Sequence, residues 1–344
     1  MKGQEFLITA FANRKKGIAM KHKYFVGTIL AAVLVFSVAA AQAQSAAYPA
    51  KEISYIIAFN PGGESDIEFR AMQPYFEKAL GVRFVPDYKP AAGGALAWQT
   101  LAGATPDGYT LAGFNSPHVI TQPLTMKDVK FQTEDFTYLS MIENTPSTLV
   151  VKKGFPATTL KEFIDYAKKN PGKVTIAAVG KFSGPHLNVL QFMKVAGIKL
   201  TYIPLQGTGQ VKPQIMGGHV DAAFTNSPAA VEMNGTGVTV LAVGTAERMK
   251  QLPDVPTFAE LGYKIYPRID RGIIGPKNLP KDVAQKLDKA FYAIVTNKEV
   301  QAKLSEAGFV PNPMNMAQAT QYMKEQKELV IKLLDEEKLM QTKQ

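Results

Sequence analysis

From residue 53 onward, short runs of β-branched and aromatic residues alternate with longer stretches of helical period. No other feature narrows the choice of fold as far. Strand-like runs are predicted at 53–59, 83–87, 109–114, 147–152, 173–179, 199–205, 219–225, 238–244 and 271–276. Amphipathic stretches at 66–80, 159–169, 185–196 and 209–217 lie between them. The tail is helical: Val283, Leu287, Ala290, Phe291 and Ile294 share one face, and Tyr322, Met323, Leu329, Val330 and Leu334 mark a last helix. This βαβ rhythm calls for parallel or mixed sheets covered by helices, an α/β architecture.

Ahead of the first strand the pattern is different. Met20-Lys21-His22-Lys23 is basic, an apolar run follows from Phe25 to Ala41, and Ala41-Gln42-Ala43 has the A-x-A form of a cleavage site. Residues 1–43 therefore read as an overhang plus a secretory signal peptide, with Met20 as the expected start and cleavage after Ala43. The mature chain would hold 344 − 43 = 301 residues, enough for two lobes. Six Lys/Arg and one Glu leave with the leader, so the net charge falls from +10 to (39 − 6) − (29 − 1) = +5. With no basic stripe interleaved with aromatic residues, such a charge gives no reason to expect nucleic acid.

Cysteine is absent. Zinc thiolate sites, iron–sulfur clusters and thiol nucleophiles are thereby excluded. So is the lipid-bearing cysteine of a bacterial lipoprotein, and the expected location is the periplasm without a lipid anchor. The shifts of composition at 144–158 and at Arg271-Gly272-Ile273-Ile274-Gly275-Pro276-Lys277 suggest two crossings between lobes. Lobe one is expected to comprise 48–148 plus 272–344, and lobe two 149–271.

The strand ends carry the chemistry. Phe59 runs into Asn60-Pro61-Gly62-Gly63-Glu64-Ser65, Val179 into Gly180-Lys181-Phe182-Ser183-Gly184-Pro185-His186, and Leu205 into Gln206-Gly207-Thr208-Gly209. Phe224 leads to Thr225-Asn226-Ser227-Pro228, and Phe114 to Asn115-Ser116-Pro117. Ligands of α/β sheets sit beyond the carboxyl ends of strands, where glycine permits close approach and helix N-termini present N–H groups to anions. Ser65 with Glu68 has the form of a capping box, and Ser183 with Pro185 that of a helix start.

Enzyme templates are missing. There is no P-loop, no G-x-G-x-x-G after a strand, no G-x-S-x-G elbow and no H-E-x-x-H. Past the leader only His118, His186 and His219 remain, in separate segments without ligand spacing, so His186 is expected as a hydrogen-bonding or pocket-wall residue. Structural roles are expected for Asp66, Asp107 and Asp221. No catalytic residue, metal or cofactor is expected.

Several ordered strings carry a resemblance to a known family. They are Pro61-Gly62-Gly63 with Asp66 and Arg70, Pro90-Ala91-Ala92-Gly93-Gly94, Pro106-Asp107-Gly108-Tyr109-Thr110-Leu111, and Ser183-Gly184-Pro185-His186-Leu187. Further on come Gly217-Gly218-His219-Val220-Asp221, then Leu241-Ala242-Val243-Gly244-Thr245 with Arg248, and Leu252-Pro253-Asp254-Val255-Pro256-Thr257-Phe258-Ala259-Glu260-Leu261-Gly262-Tyr263. Over nearly the whole mature chain the sequence resembles the periplasmic substrate-binding receptors of tripartite tricarboxylate transporters, the TctC-like or Bug family. The resemblance implies a two-lobed Venus-flytrap periplasmic binding protein fold of type II-like form, each lobe a mixed β-sheet flanked by helices. It implies a small carboxylate clasped between the lobes, often through ordered water, and delivered to membrane permease subunits by a monomer. Carried over residue by residue, the ligand contacts would be Phe59, Gly62, Gly63, Asp66 and Ser116 from lobe one. Ser183, Gly184, His186, Gly207, Thr208, Thr225 and Asn226 would face them, and Arg271 is a further candidate ligand contact from a segment outside the family pattern.

Three places depart from the family pattern. Glu64 stands where a small or neutral residue is usual, Arg268-Ile269-Asp270-Arg271-Gly272 replaces a segment that often holds a tryptophan, and Asp87-Tyr88-Lys89 replaces an asparagine–arginine pair. Glu64 is expected to face solvent, the alternatives being a pair with Arg271 or an ammonium group on the ligand. An Arg268 or Arg271 facing the cleft would clamp a carboxylate bidentately. Two other roles stay open at the level of sequence: a sensor that signals to a membrane kinase, and an exported cofactor-free hydrolase or isomerase using Asp66 and His186.

Overall fold

The computed structural model describes residues 48–180, 183–265 and 267–336. The expected leader lies outside them. The described residues from 51 onward form one compact unit, and ten strands are described in it. They are β1 (Ile53–Ile57), β2 (Phe84–Tyr88), β3 (Thr110–Ser116), β4 (Phe136–Lys152), β5 (Thr175–Val179), β6 (Thr201–Leu205), β7 (Ala222–Asn226), β8 (Val238–Val243), β9 (Arg268–Pro276) and β10 (Val310–Met314). Their order is β2-β1-β3-β9-β4-β7-β5-β6, with β10 and β8 also paired to β4.

β4 joins two sheets. Its residues from Phe136 to Pro146 pair with β9, whereas Ser147 to Val151 pair with β7. The register jumps from Pro146 opposite Arg268 to Ser147 opposite Asn226. The chain crosses between the sheets a second time on its way from β8 to β9. The fold is accordingly a two-lobed α/β arrangement, with parallel pairs β1–β2, β1–β3, β5–β6 and β5–β7 and antiparallel pairs around β4 and β9.

The strand interiors obey ordinary burial rules. β1 reads Ile-Ser-Tyr-Ile-Ile and is buried except at Ser54, as expected for a parallel strand covered on both faces. The helix Glu64–Leu80 lays Phe69, Met72, Phe76 and Leu80 on the first sheet, where Tyr55 stacks on Phe69 at 4.6 Å and Phe76 meets Phe291 at 5.2 Å. It ends at Gly81, whose φ of 73° is the left-handed conformation that glycine adopts freely. The second sheet packs on Phe163, Phe192, Phe224 and Phe258, with the last two rings parallel at 5.9 Å.

The start of the helix Glu64–Leu80 differs from the sequence reading. Gly63 is its N-cap and no side chain caps it, so Ser65 and Glu68 form no capping box. Glu68 turns inward instead and is 4 % exposed. The expected cap at Ser183 is present: its hydroxyl accepts from the His186 N–H at 3.3 Å. β4 is also longer than expected, running back to Phe136, and β10 was not foreseen at all.

Candidate functional site

The carboxyl ends of β1, β3, β5, β6 and β7 converge. They bring Phe59, Asn115, Val179, Thr208 and Asn226 around a cavity of about 20 Å³, with Glu64, His118 and Arg271 completing its polar wall. That volume holds about one water-sized group. A second cavity of about 210 Å³ shares Phe59 and Thr208 with it and is walled by the glycine loops 60–63, 90–94 and 206–210. A larger cavity, about 540 Å³, lies elsewhere, between the loop 244–251, Arg268 and Phe309–Pro311. None of the converging strand ends reaches that cavity, so the candidate site is assigned to the two smaller ones.

Arg271 organises the inner cavity. It sits on β9 with Asn115 opposite it on β3 and Glu143 opposite it on β4. Its guanidinium donates to Glu64 at 2.6 Å and to Glu143 at 3.2 Å, also donates to the Thr145 hydroxyl, and lies 4.0 Å from Glu68. Glu64 and Glu68 are one helical turn apart on the same face, which brings both to one cation. All four charged side chains are buried.

One cation against three carboxyl groups leaves negative charge to be relieved by protonation. Burial, and then the neighbouring Glu143, push Glu68 well above the usual carboxyl range. Burial likewise pushes Glu143 up to about 7, although Arg271 and Thr145 pull the other way. Burial disfavours the Arg271 charge, but Glu64, Glu143 and Glu68 more than offset this and hold it protonated. His118 is driven down to about 3, first by burial and then by Arg271, and is neutral near pH 7.

Glu64 also ties the two sheets together. The Asn226 side-chain amide at the end of β7 donates to its Oε2 at 2.6 Å. Asn226 is held in turn by the Ser147 hydroxyl at 3.2 Å, and Ser147 accepts from Asn188 at 3.0 Å. This polar chain runs from the second sheet into the buried charges of the first.

The glycine loop after β1 is shaped by Asp66. Its carboxylate accepts the Gly62 N–H at 2.8 Å and the Tyr88 hydroxyl at 2.7 Å and pairs with Arg70 at 2.9 Å. Burial opposes the ionised form, but these bonds outweigh it and hold the group below the usual range. Asp107 and Asp221 are structural too: Asp107 accepts from the Tyr109 N–H, and Asp221 from Thr175.

Among the residues read from sequence, Phe59, Thr208, Asn226 and Arg271 line the inner cavity. Phe59, Gly62, Gly63, Gly207 and Thr208 line the outer one. Asp66, Ser116, Ser183, Gly184, His186 and Thr225 stand beside these walls rather than in them. The His186 ring lies 4.5 Å from that of Tyr202. A Cβ at Gly184 would come within 2.9 Å of Pro117 and 3.4 Å of His118, so the glycine serves close packing of the second sheet's loop against the first.

Two expectations are corrected. Glu64 does not face solvent: it is 6 % exposed and paired with Arg271. Arg271 is not a free clamp for a carboxylate: Glu64, Glu143 and Thr145 hold two of its three nitrogens, and its Nε, without a hydrogen-bond partner, faces Glu68 at 4.0 Å. Arg268 is committed likewise, to Asp270 and Tyr322. Sequence reasoning missed His118 and Asn115 as site residues. The available signal was the position of Asn115 at the end of an apolar strand, with His118 starting the next helix. Among the described residues no group of three or more His, Asp or Glu side chains is arranged to hold a metal ion.

Comparison with known proteins agrees with this architecture. A family profile described as "Tripartite tricarboxylate transporter family receptor" matches residues 68–339. The "UPF0065 protein in gbd 5'region" of Cupriavidus necator is 31 % identical over 322 residues, covering 91 % of this chain and 98 % of that protein. "Protein BugT" of Bordetella pertussis is 29 % identical, covering 79 % of this chain and 85 % of its own. Among solved structures, the periplasmic binding protein BugD superposes with a TM-score of 0.79 at 26 % identity, covering 86 % of this chain and 100 % of that one.

Proposed function

The chain belongs to the tripartite tricarboxylate transporter receptor family, and from that premise we propose that it captures a small organic acid between its lobes and delivers it to the membrane permease subunits of such a transporter. Family members are periplasmic binding proteins. We place this chain in the same compartment, exported by the leader at residues 1–43 and acting as a monomer. The expected lobes, 48–148 with 272–344 and 149–271, are shifted so that β9 from Arg268 onward goes with the first, since its residues pair with β3 and the first part of β4, and the hinge is taken where β4 changes partners.

One observation carries the reading. Loops from the carboxyl ends of strands in both sheets meet at a small polar cavity, and Asn226 of one sheet bonds Glu64 of the other. A ligand that touches both sides binds the closed form more tightly than the open form, and that difference in affinity drives closure. The outer cavity offers the glycine-rich backbone of three loops, and the helix Glu64–Leu80 begins at its edge without a side-chain cap, where the helix dipole favours an anion.

The test is titration calorimetry of the leaderless chain against di- and tricarboxylates, aromatic acids and amino acids. Saturable binding of one equivalent, with the ligand recovered unchanged, is expected. Conversion of a bound acid, lost in Asp66→Asn, would show an enzyme instead.

A further inference from the structure

The inner cavity is lined by Glu64 and His118, and each of these carries a buried polar atom without a partner: Glu64 Oε1 and His118 Nδ1. The two residues are 6 % and 1 % exposed. The other Glu64 oxygen is fully used, accepting from both Arg271 and Asn226. What Oε1 lacks is a hydrogen-bond donor. A buried acceptor left unmade is unfavourable, and more so on a charged group.

The obvious cation cannot supply that donor. Arg271 directs one nitrogen to Glu64 Oε2 and another to Glu143 and Thr145. Its Nε points toward Glu68 at 4.0 Å, across a separate cavity of about 10 Å³ that both residues line. With three carboxyl groups around it, the guanidinium has no charge to spare for a ligand anion. A carboxylate pushed into the inner cavity would meet Glu64 there, and among the described residues that line it the cation is Arg271, already committed to Glu64 and Glu143.

We propose that the inner cavity takes a donor nitrogen, an ammonium group, so that the preferred ligand is an amino-substituted carboxylate rather than a plain di- or tricarboxylate. The proposal rests on the receptor reading above and deepens it. The ammonium group donates to Glu64 Oε1, and His118, whose Nδ1 also lacks a partner, lines the same wall. Its size suits a cavity of about 20 Å³. The carboxylate stays in the outer cavity, beside Gly62, Gly63 and Gly207. Phe59 and Thr208, which line both cavities, flank the carbon chain between the two ends.

Matched pairs of probes test this directly in titrations of the leaderless chain: L-glutamate with glutarate, 4-aminobutyrate with butyrate, and L-phenylalanine with 3-phenylpropionate. In at least one pair the amino member is expected to bind about ten- to a hundredfold more tightly, the range of a hydrogen bond to a charged group. In Glu64→Gln that ratio should collapse toward one. The wild-type ratio decides even if the variant does not fold. Deaminated acids bound as tightly as their partners overturn the ammonium site while leaving the receptor intact. An amino preference that survives in folded Glu64→Gln overturns the assignment to Glu64. If no acid of either kind binds, the carboxylate-receptor reading falls, and this inference with it.

Discussion

Asn226 and Glu64, 162 residues apart in sequence, are joined by a hydrogen bond of 2.6 Å that crosses from the end of β7 to the first turn of the helix Glu64–Leu80. Both groups are buried, and the same Glu64 oxygen also accepts from the Arg271 guanidinium. Such a bond contributes about 1.5–3 kcal/mol, and it can form only when the two sheets' loops are together. Asn226→Ala should weaken ligand binding by about tenfold or more, measured by calorimetry. An unchanged dissociation constant would mean that the bond has no part in closure.

Removing Arg271 leaves Glu64, Glu68 and Glu143 buried without their counter-charge. Arg271→Leu should lose about 3–5 kcal/mol of stability near pH 8. Part of that loss should return near pH 5, where Glu143 is protonated. Urea unfolding at the two pH values checks both statements, and an equal loss at both would contradict the charge argument.

The pH dependence of the parent protein has a definite sign. The folded protein holds the Glu143 proton up to about 7, against an ordinary value of 4.5. Its contribution is therefore full below about pH 4.5 and is lost as pH rises through 7, on the order of 3 kcal/mol in all. Glu68 acts in the same direction. His118 acts oppositely: held at about 3 against an ordinary 6.5, it contributes fully above 6.5 and loses that as pH falls toward 3. Of these three groups the two carboxyls are the ones whose contributions still change above 6.5, so stability should fall between about pH 6.5 and 8. Glu143→Gln should flatten that fall in urea-unfolding midpoints, and an unaltered slope would exclude Glu143 as its source.

Gly184→Val places branched carbon against Pro117, His118 and Ile269. Ile269 belongs to the first sheet, and Pro117 and His118 start the helix that follows β3. The variant should fold, as judged by circular dichroism, yet bind ligand at least about tenfold more weakly because the loops no longer meet. Near-normal affinity would show that this close packing is dispensable.

How much was legible in sequence follows from how local each signal is. β1, β5 and β7 could be read because their apolar runs are short and end in turn residues. β4 was read only from 147 because Glu143, Asn144 and Thr145 look like loop, and their burial depends on Arg271 far along the chain. β10 carries Pro311 and Pro313, which hide an edge strand from any propensity argument. The glycine loops of the outer cavity were legible for the same local reason as the strands. The inner cavity was not. Glu64 looked like a solvated helix-start residue, and its partner lies 207 positions away. His118 carried no motif of its own.

The most direct test of the central claim is thermal unfolding of the leaderless chain with and without small organic acids, followed by NMR of the recovered acid. A cognate acid at about 100 times its dissociation constant should add ~2.7 kcal/mol of apparent stability and come back unchanged. No stabilisation by any carboxylate, with or without an amino group, or chemical conversion of the one that binds, would contradict a receptor that holds its ligand and releases it intact.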